Sequence, residues 1–190
     1  MHDELDGILA FLRSAERLKT VTRSGWTSAG QRESVAEHTW RLCLMAMVLY
    51  GRSEGIDVGK LLRMCLVHDL GEAIGGDVPA PEQRADAAKA DRERADLLEH
   101  ITPLPEPVCR EIAELWDEYE AAESPEARVA KGLDKLETIL QHTQGSNPAD
   151  FDYVFNLAYG QRYTAADPLL SALRERLDVE TARRAAESRR

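Results

Sequence analysis

Apolar residues recur at intervals of three and four almost from end to end of this chain, as at Leu5, Ile8, Leu9 and Leu12, and no sustained period-two alternation bounded by hairpin turns interrupts them. That periodicity gives each segment one stripe to bury and leaves an all-α fold as the class this sequence can reach. At 190 residues the chain is long enough for one domain with a substantial core and too short for two without a clear boundary. The stripes resolve into roughly seven to eight helices forming one bundle.

Local signals mark where these helices begin and end. Ser34-Val35-Ala36-Glu37 is a capping box, so a helix starts there and His38 lies in its opening turns. Asp57 is an N-cap for a helix running through Leu61, Leu62, Cys65 and Leu66 to His68-Asp69, which stops in the glycine- and proline-rich stretch Gly71 to Pro81. Further helices are expected over about 84–101, 107–122 and 125–142, the last with Ser124 as N-cap, Pro125 at its first position and Val129, Leu133, Leu136 and Leu140 as its stripe. A helix over Asp150 to Tyr163 and another from Asp167 to about Leu177 complete a domain spanning 1–178. The arginine-rich remainder, 179–190, reads as a frayed tail.

Hydrophobic residues at 43% and charged residues at 31% exclude the composition of a disordered chain. A formal net charge of -10 argues against binding a nucleic-acid polymer, which needs a basic face. Cys43, Cys65 and Cys109 are odd in number, widely spaced and form no CxxC, so neither a disulfide framework nor a thiolate zinc site is indicated. The acidic start, Met1 to Gly7, lacks the charge of a signal peptide, and the longest apolar run, Leu42 to Tyr50, is too short to span a bilayer. The expectation is a cytoplasmic protein with no membrane partner.

Four side chains combine metal-ligand chemistry with apolar helical surroundings in which an unpaired charge is costly: His38, His68, Asp69 and Asp134. Each singly has an ordinary reading, and Asp134 could simply be solvated beside Lys131 and Lys135. The adjacent pair His68-Asp69, ending the apolar run Leu66-Val67, is the unusual element. Two nitrogens and two oxygens suit one borderline divalent ion such as Mn, Fe, Co, Ni or Zn.

With a first His, an adjacent His-Asp and a distant Asp, embedded as ESVAEHTWR, LVHDLGEA and KGLDKLE, the chain resembles the HD-domain metal-dependent phosphohydrolases. A basic segment before the first motif, RLKTVTRSGW, and GDVPAP after the second extend the resemblance to the 5'-deoxynucleotidase branch, over about Leu12 to Leu140. The resemblance implies a phosphomonoesterase acting on (deoxy)nucleoside 5'-monophosphates. It implies that Glu72 orients or deprotonates the attacking water, that Arg23 holds the substrate phosphate, and that Asp69 both ligates the ion and borders that phosphate. It also places Asp77, Val78, Pro79 and Ala80 in the loop that contacts the nucleotide, with Asp77 reaching sugar hydroxyls. In the bacterial enzymes of the branch an aromatic residue follows the phosphate-orienting arginine and helps select deoxyribose. Here Ser24 follows Arg23 and the tryptophan comes later, at Trp26, an arrangement similar to the eukaryotic RxGW.

Rival chemistries lose specific residues. A di-iron oxygenase on such a scaffold needs two histidines between the His-Asp pair and the last Asp, and only His100 lies there, His142 coming after Asp134. A guanosine tetraphosphate hydrolase carries Glu-Asp where this chain has Glu72-Ala73. A regulatory module that has lost its ligands is a further alternative, set against four intact ligand positions and Glu72. Apolar helix faces beyond those needed for one core suggest a homodimer.

Overall fold

In a computed structural model that describes residues 2–79, 87–165 and 167–188, the chain is built around one helix that is buried on almost every side. This is α7 (Pro125–Gln144), entered through the Ser124 cap, whose hydroxyl accepts the Ala127 amide at 3.2 Å, and through Pro125 at its first turn. Helices α2 (Val35–Tyr50), α3 (Val58–Val67), α6 (Glu106–Ala121), α9 (Gln161–Thr164) and α10 (Pro168–Glu187) pack around it. Ala127, Ala130, Leu133, Leu136 and Ile139 fill the core with Leu42, Leu61, Met64 and Leu170. A helix surrounded in this way cannot leave its ionisable residues to solvent, so Asp134, Glu137 and His142 must each find a partner inside the protein.

The capping box at Ser34 forms as expected, the Ser34 hydroxyl accepting the Glu37 amide and the Glu37 carboxylate accepting the Ser34 amide at 2.7 Å. Asp57 caps α3 through the Lys60 amide at 3.0 Å. The third helix ends at Val67, earlier than its apolar stripe suggested; His68 is its C-cap, turns carry the chain through Asp69 to Gly71, and α4 (Glu72–Gly75) follows. Peripheral helices α1 (His2–Ala15), α5 (Ala87–Ile101) and α8 (Tyr153–Ala158) complete the helical set, with a 3-10 turn over Glu16–Lys19.

Three expectations are corrected. A short antiparallel pair, β1 (Thr22–Trp26) and β2 (Arg32–Ser34), precedes α2, with Thr22 opposite Ser34 and Trp26 opposite Arg32. Five and three residues with a bulge between them are too few for period-two alternation to register, and the turn is made by Gly30 at φ +80°. The single helix expected over 150–163 is divided into α8 and α9 by extended Tyr159 and by Gly160 at φ +67°. The tail expected to fray instead continues α10 to Glu187: Thr181 and Ala185 are buried, and Arg184 donates to the Gly145 carbonyl and lies over the Tyr153 ring at 5.2 Å. Among the described residues no helix is long and apolar enough to cross a membrane.

Candidate active site

Helix α2 delivers His38 from its first turn, the end of α3 delivers His68 and Asp69, and α7 delivers Asp134. They converge: His38 Nε2 is 3.4 Å from Asp134 Oδ1 and 3.8 Å from Asp69 Oδ2, while His68 Nε2 is 3.0 Å from Asp69 Oδ2 and 4.0 Å from Asp134 Oδ1. The far nitrogens are already committed, His38 Nδ1 to the Glu137 carboxylate and His68 Nδ1 to the Cys65 carbonyl at 2.9 Å. Both rings therefore turn Nε2 inward, and both Nε2 atoms are buried without a hydrogen-bond partner. Bare imidazole nitrogens facing carboxylate oxygens call for a positive charge between them.

Protonating His38 is one way to supply that charge; burial and Arg23 oppose it, but Glu137 and Asp134 prevail and carry the ring to about 9. A divalent cation is the other, and the donor set of two imidazole nitrogens and two carboxylates fits one. The second oxygen of Asp134 is taken, accepting from the Tyr119 hydroxyl at 2.9 Å and from Lys135 Nζ at 2.7 Å, so Oδ1 is the atom left for the cluster. Burial works against ionising Asp134, yet Lys135 and His38 hold it well below the usual carboxylate range. Asp69 is likewise held low against its burial, by His68 and Arg23. Trp116 donates to the His68 carbonyl at 3.0 Å and fixes the end of α3.

Around this cluster lies a cavity of about 560 Å³ that Arg23, Asp69, Glu72, Asp77 and Asp134 all line. The Arg23 guanidinium reaches Asp69 Oδ2 at 3.1 Å and Thr138 Oγ1 at 3.2 Å, and its own carbonyl is held by Arg32 Nε at 2.8 Å. Glu72 opens α4, and its Oε2 is buried without a partner. Burial, then the charges of Asp69 and Asp77, push the Glu72 carboxyl up to about 10. A cation that neutralised Asp69 would remove the repulsion which that carboxylate adds, leaving burial as the main cause of the shift. Burial also raises Asp77, against the pull of Arg23. Val78, 45% exposed, and Pro79 do not line the cavity, and Ala80 lies outside the described residues.

A charged network behind the cluster went unnoticed in the sequence. Glu137, fully buried, accepts from Arg41 Nε at 2.7 Å as well as from His38, and Arg41 also reaches Glu33 at 3.5 Å. Glu33, His38 and Glu137 are close enough to hold an ion themselves, but Arg41 and Arg23 already supply the countercharge there. The signal was present as spacing, Glu137 three residues after Asp134 and Arg41 three after His38, each on the face of its ligand. His100 is buried on α5 against Phe11, with ring centroids 5.0 Å apart, and takes no part in the cluster.

Comparison with known proteins gives a consistent picture. A family model described as HD domain matches residues 15–174. The mouse 5'-deoxynucleotidase HDDC2 is 39% identical over 141 residues, covering 73% of this chain and 69% of that protein. The zebrafish 5'-deoxynucleotidase HDDC2 is 39% identical over 140 residues, 72% of this chain and 68% of that one. Among solved structures, a protein described as a predicted metal-dependent phosphohydrolase from Magnetospirillum magnetotacticum superposes with a TM-score of 0.79 at 30% identity, over 96% of this chain and 94% of the other.

Proposed function

Since the chain belongs to the HD-domain family, in the branch of the 5'-deoxynucleotidases, we propose that it hydrolyses the phosphomonoester of deoxynucleoside 5'-monophosphates at one divalent ion held by His38, His68, Asp69 and Asp134. The observation that carries this reading is the pair of buried, unpartnered Nε2 atoms facing Asp69 Oδ2 and Asp134 Oδ1. Mn, Co, Fe, Ni and Zn all suit the donor set. When bound, such an ion lowers the pKa of a water and neutralises charge on a phosphate.

The remaining work falls to the chain. Arg23, on the wall of the cavity beside Asp69, offers a guanidinium fork to phosphate oxygens. Glu72 orients the attacking water with its unpartnered carboxylate oxygen and takes its proton. Asp69 borders the phosphate as well as ligating, and Asp77 faces the sugar from the same cavity wall. The cavity, at about 560 Å³, has the size of a small-molecule site and suits a mononucleotide.

Trp40, Leu44, Met47 and Val48 form one exposed stripe on α2, Trp40 at 67% and Val48 at 70% exposure. We assign that face to a homodimer, which light scattering tests. Three free thiols fit a reducing cytoplasm.

The test of function is phosphate release from a panel of deoxynucleoside mono- and triphosphates with added manganese or cobalt. Turnover of monophosphates is expected; robust turnover of triphosphates with none of monophosphates would refute the reading. The Glu72→Ala variant should keep its metal and lose turnover by two orders of magnitude or more, roughly the contribution of a positioned general base. Near-normal rates would remove Glu72 from the mechanism.

A further inference from the structure

Arg23, which the reading above gives to the substrate phosphate, is itself held from three sides. Its Nη1 donates to Asp69 Oδ2 at 3.1 Å, its Nη2 donates to Thr138 Oγ1 at 3.2 Å, and its Nε lies 3.7 Å from Glu33 Oε2. Thr138 is buried and stands on α7 one turn beyond Asp134, so the two share a face of that helix and both line the cavity. Strand β1 brings Arg23 within reach because Gly25 packs so closely on α7 that a Cβ there would lie 2.9 Å from Gln141 Cγ.

The Thr138 hydroxyl has one hydrogen, and it donates that hydrogen to the Asp134 carbonyl at 3.0 Å. Its oxygen is left to accept, and Arg23 Nη2 is the donor that meets it. A phosphate dianion also accepts and has no hydrogen to give. Although Thr138 lines the cavity, it therefore acts on a bound phosphate through Arg23 and not by direct contact.

The Asp69 contact is of a different kind. Asp69 Oδ2 also lies 3.0 Å from His68 Nε2 and 3.8 Å from His38 Nε2, which makes it the oxygen offered to an ion. Once Asp69 ligates, its charge is shared and its hold on Nη1 weakens, which frees that nitrogen for a phosphate oxygen. Glu33, at 3.7 Å, is beyond hydrogen-bond reach and supplies charge without direction. Thr138 is uncharged and outside the ligand set, so its bond to Nη2 survives loading. Each terminal nitrogen carries two hydrogens, and Nη2 can keep Thr138 with one while offering the other.

We propose that Thr138 is a positioning residue: it anchors Arg23 Nη2, fixes the plane of the guanidinium and aims its fork at the substrate phosphate. This rests on the nucleotidase reading above. A planar fork grips a phosphate with two parallel bonds only when its plane is set, so the anchor contributes to binding the phosphate and not to holding the ion.

Thr138→Val keeps the branched shape and removes the acceptor, whereas Thr138→Ser keeps the acceptor. In Thr138→Val, KM for a deoxynucleoside 5'-monophosphate and the inhibition constant of inorganic phosphate should both rise by about tenfold, the low end for a hydrogen bond to a charged group. The change in kcat should be much smaller, as for an interaction made equally in the ground and transition states, and calorimetric affinity for manganese should stay at the wild-type value. Thr138→Ser should return both constants close to wild type. A Thr138→Val protein with unchanged KM and phosphate inhibition would overturn the proposal, whatever its melting temperature. A parallel loss of manganese affinity would also overturn it, by showing that Thr138 acts through its bond to the Asp134 carbonyl.

Nitrogen-15 NMR of the Arg23 side chain in the full-length, zinc-loaded protein gives a readout without turnover. Wild type should show two resolved Nη resonances, the sign of a guanidinium that does not rotate freely, and Thr138→Val a single averaged one. An averaged resonance in wild type would overturn the proposal. A wild-type protein that hydrolyses no monophosphate would instead refute the nucleotidase reading, while the anchoring of Arg23 is decided by NMR regardless.

Discussion

Replacing Glu137 by Gln isolates what the buried network contributes to the ion site. The substitution conserves volume and replaces none of the four proposed ligands, but it removes a fully buried charge that accepts from His38 Nδ1 and from Arg41 Nε, the latter at 2.7 Å. A neutral amide can turn its NH2 toward His38 Nδ1, which would move the ring proton onto Nε2, the atom that faces Asp69 and Asp134. Partners of this kind, bonded to a ligand's far nitrogen, are worth about tenfold to a hundredfold in metal affinity, or about 1.4–2.8 kcal/mol. Stability also falls, because Arg41 loses its countercharge; about 3–5 kcal/mol is the ceiling for breaking a buried pair from one side, and the remaining amide oxygen keeps the cost below it. The assay is calorimetric titration of manganese or cobalt into wild type and Glu137→Gln at one pH, with thermal melts of both metal-free proteins alongside. A variant that melts lower yet binds the ion with wild-type affinity would refute the claim that Glu137 fixes the tautomer of His38.

Gly71→Ala tests the packing of the turn between Asp69 and Glu72, since a Cβ there would sit 2.8 Å from the Glu93 carbonyl and 3.0 Å from the Leu97 amide nitrogen of α5. Overpacking of that kind costs about 1–3 kcal/mol, so the thermal midpoint should drop by roughly 2–12 °C, and an unchanged melt would show that α5 yields freely. His100 gives a pH prediction: burial, with Arg17 adding, lowers its pKa, so the folded chain holds that proton less firmly than the unfolded chain. Its stabilising contribution is present above the ordinary value of 6.5 and is lost as pH falls from there through the lower folded value. His100→Leu should therefore lose less of its thermal midpoint than wild type between about pH 7.5 and 5.5, and equal losses would contradict the assignment.

The four proposed ligands were legible because each interrupts an apolar helical stripe with a side chain that could not be buried alone. Glu137 and Arg41 obey the same rule, but a sequence does not distinguish a charge on the buried face of α7 from one on its surface until the helices around α7 are placed. The hairpin over Thr22–Ser34 was missed because its stability is borrowed: Gln141 of α7 donates to the Trp26 carbonyl, and Gly25 packs on α7 with no room for a side chain. The docking of α10 to Glu187 depends similarly on Gly145 and Tyr153, neither near it in sequence. Periodicity reports a helix's own faces, and these elements are decided by their neighbours.

The central claim, one divalent ion on His38, His68, Asp69 and Asp134 serving phosphomonoester hydrolysis, is tested most directly by measuring phosphate released from a deoxynucleoside 5'-monophosphate as metal is titrated into the chelator-stripped protein. The account predicts a rate that rises from background and saturates at one bound ion per chain. A rate insensitive to stripping, or one that saturates only at two ions per chain, would contradict it.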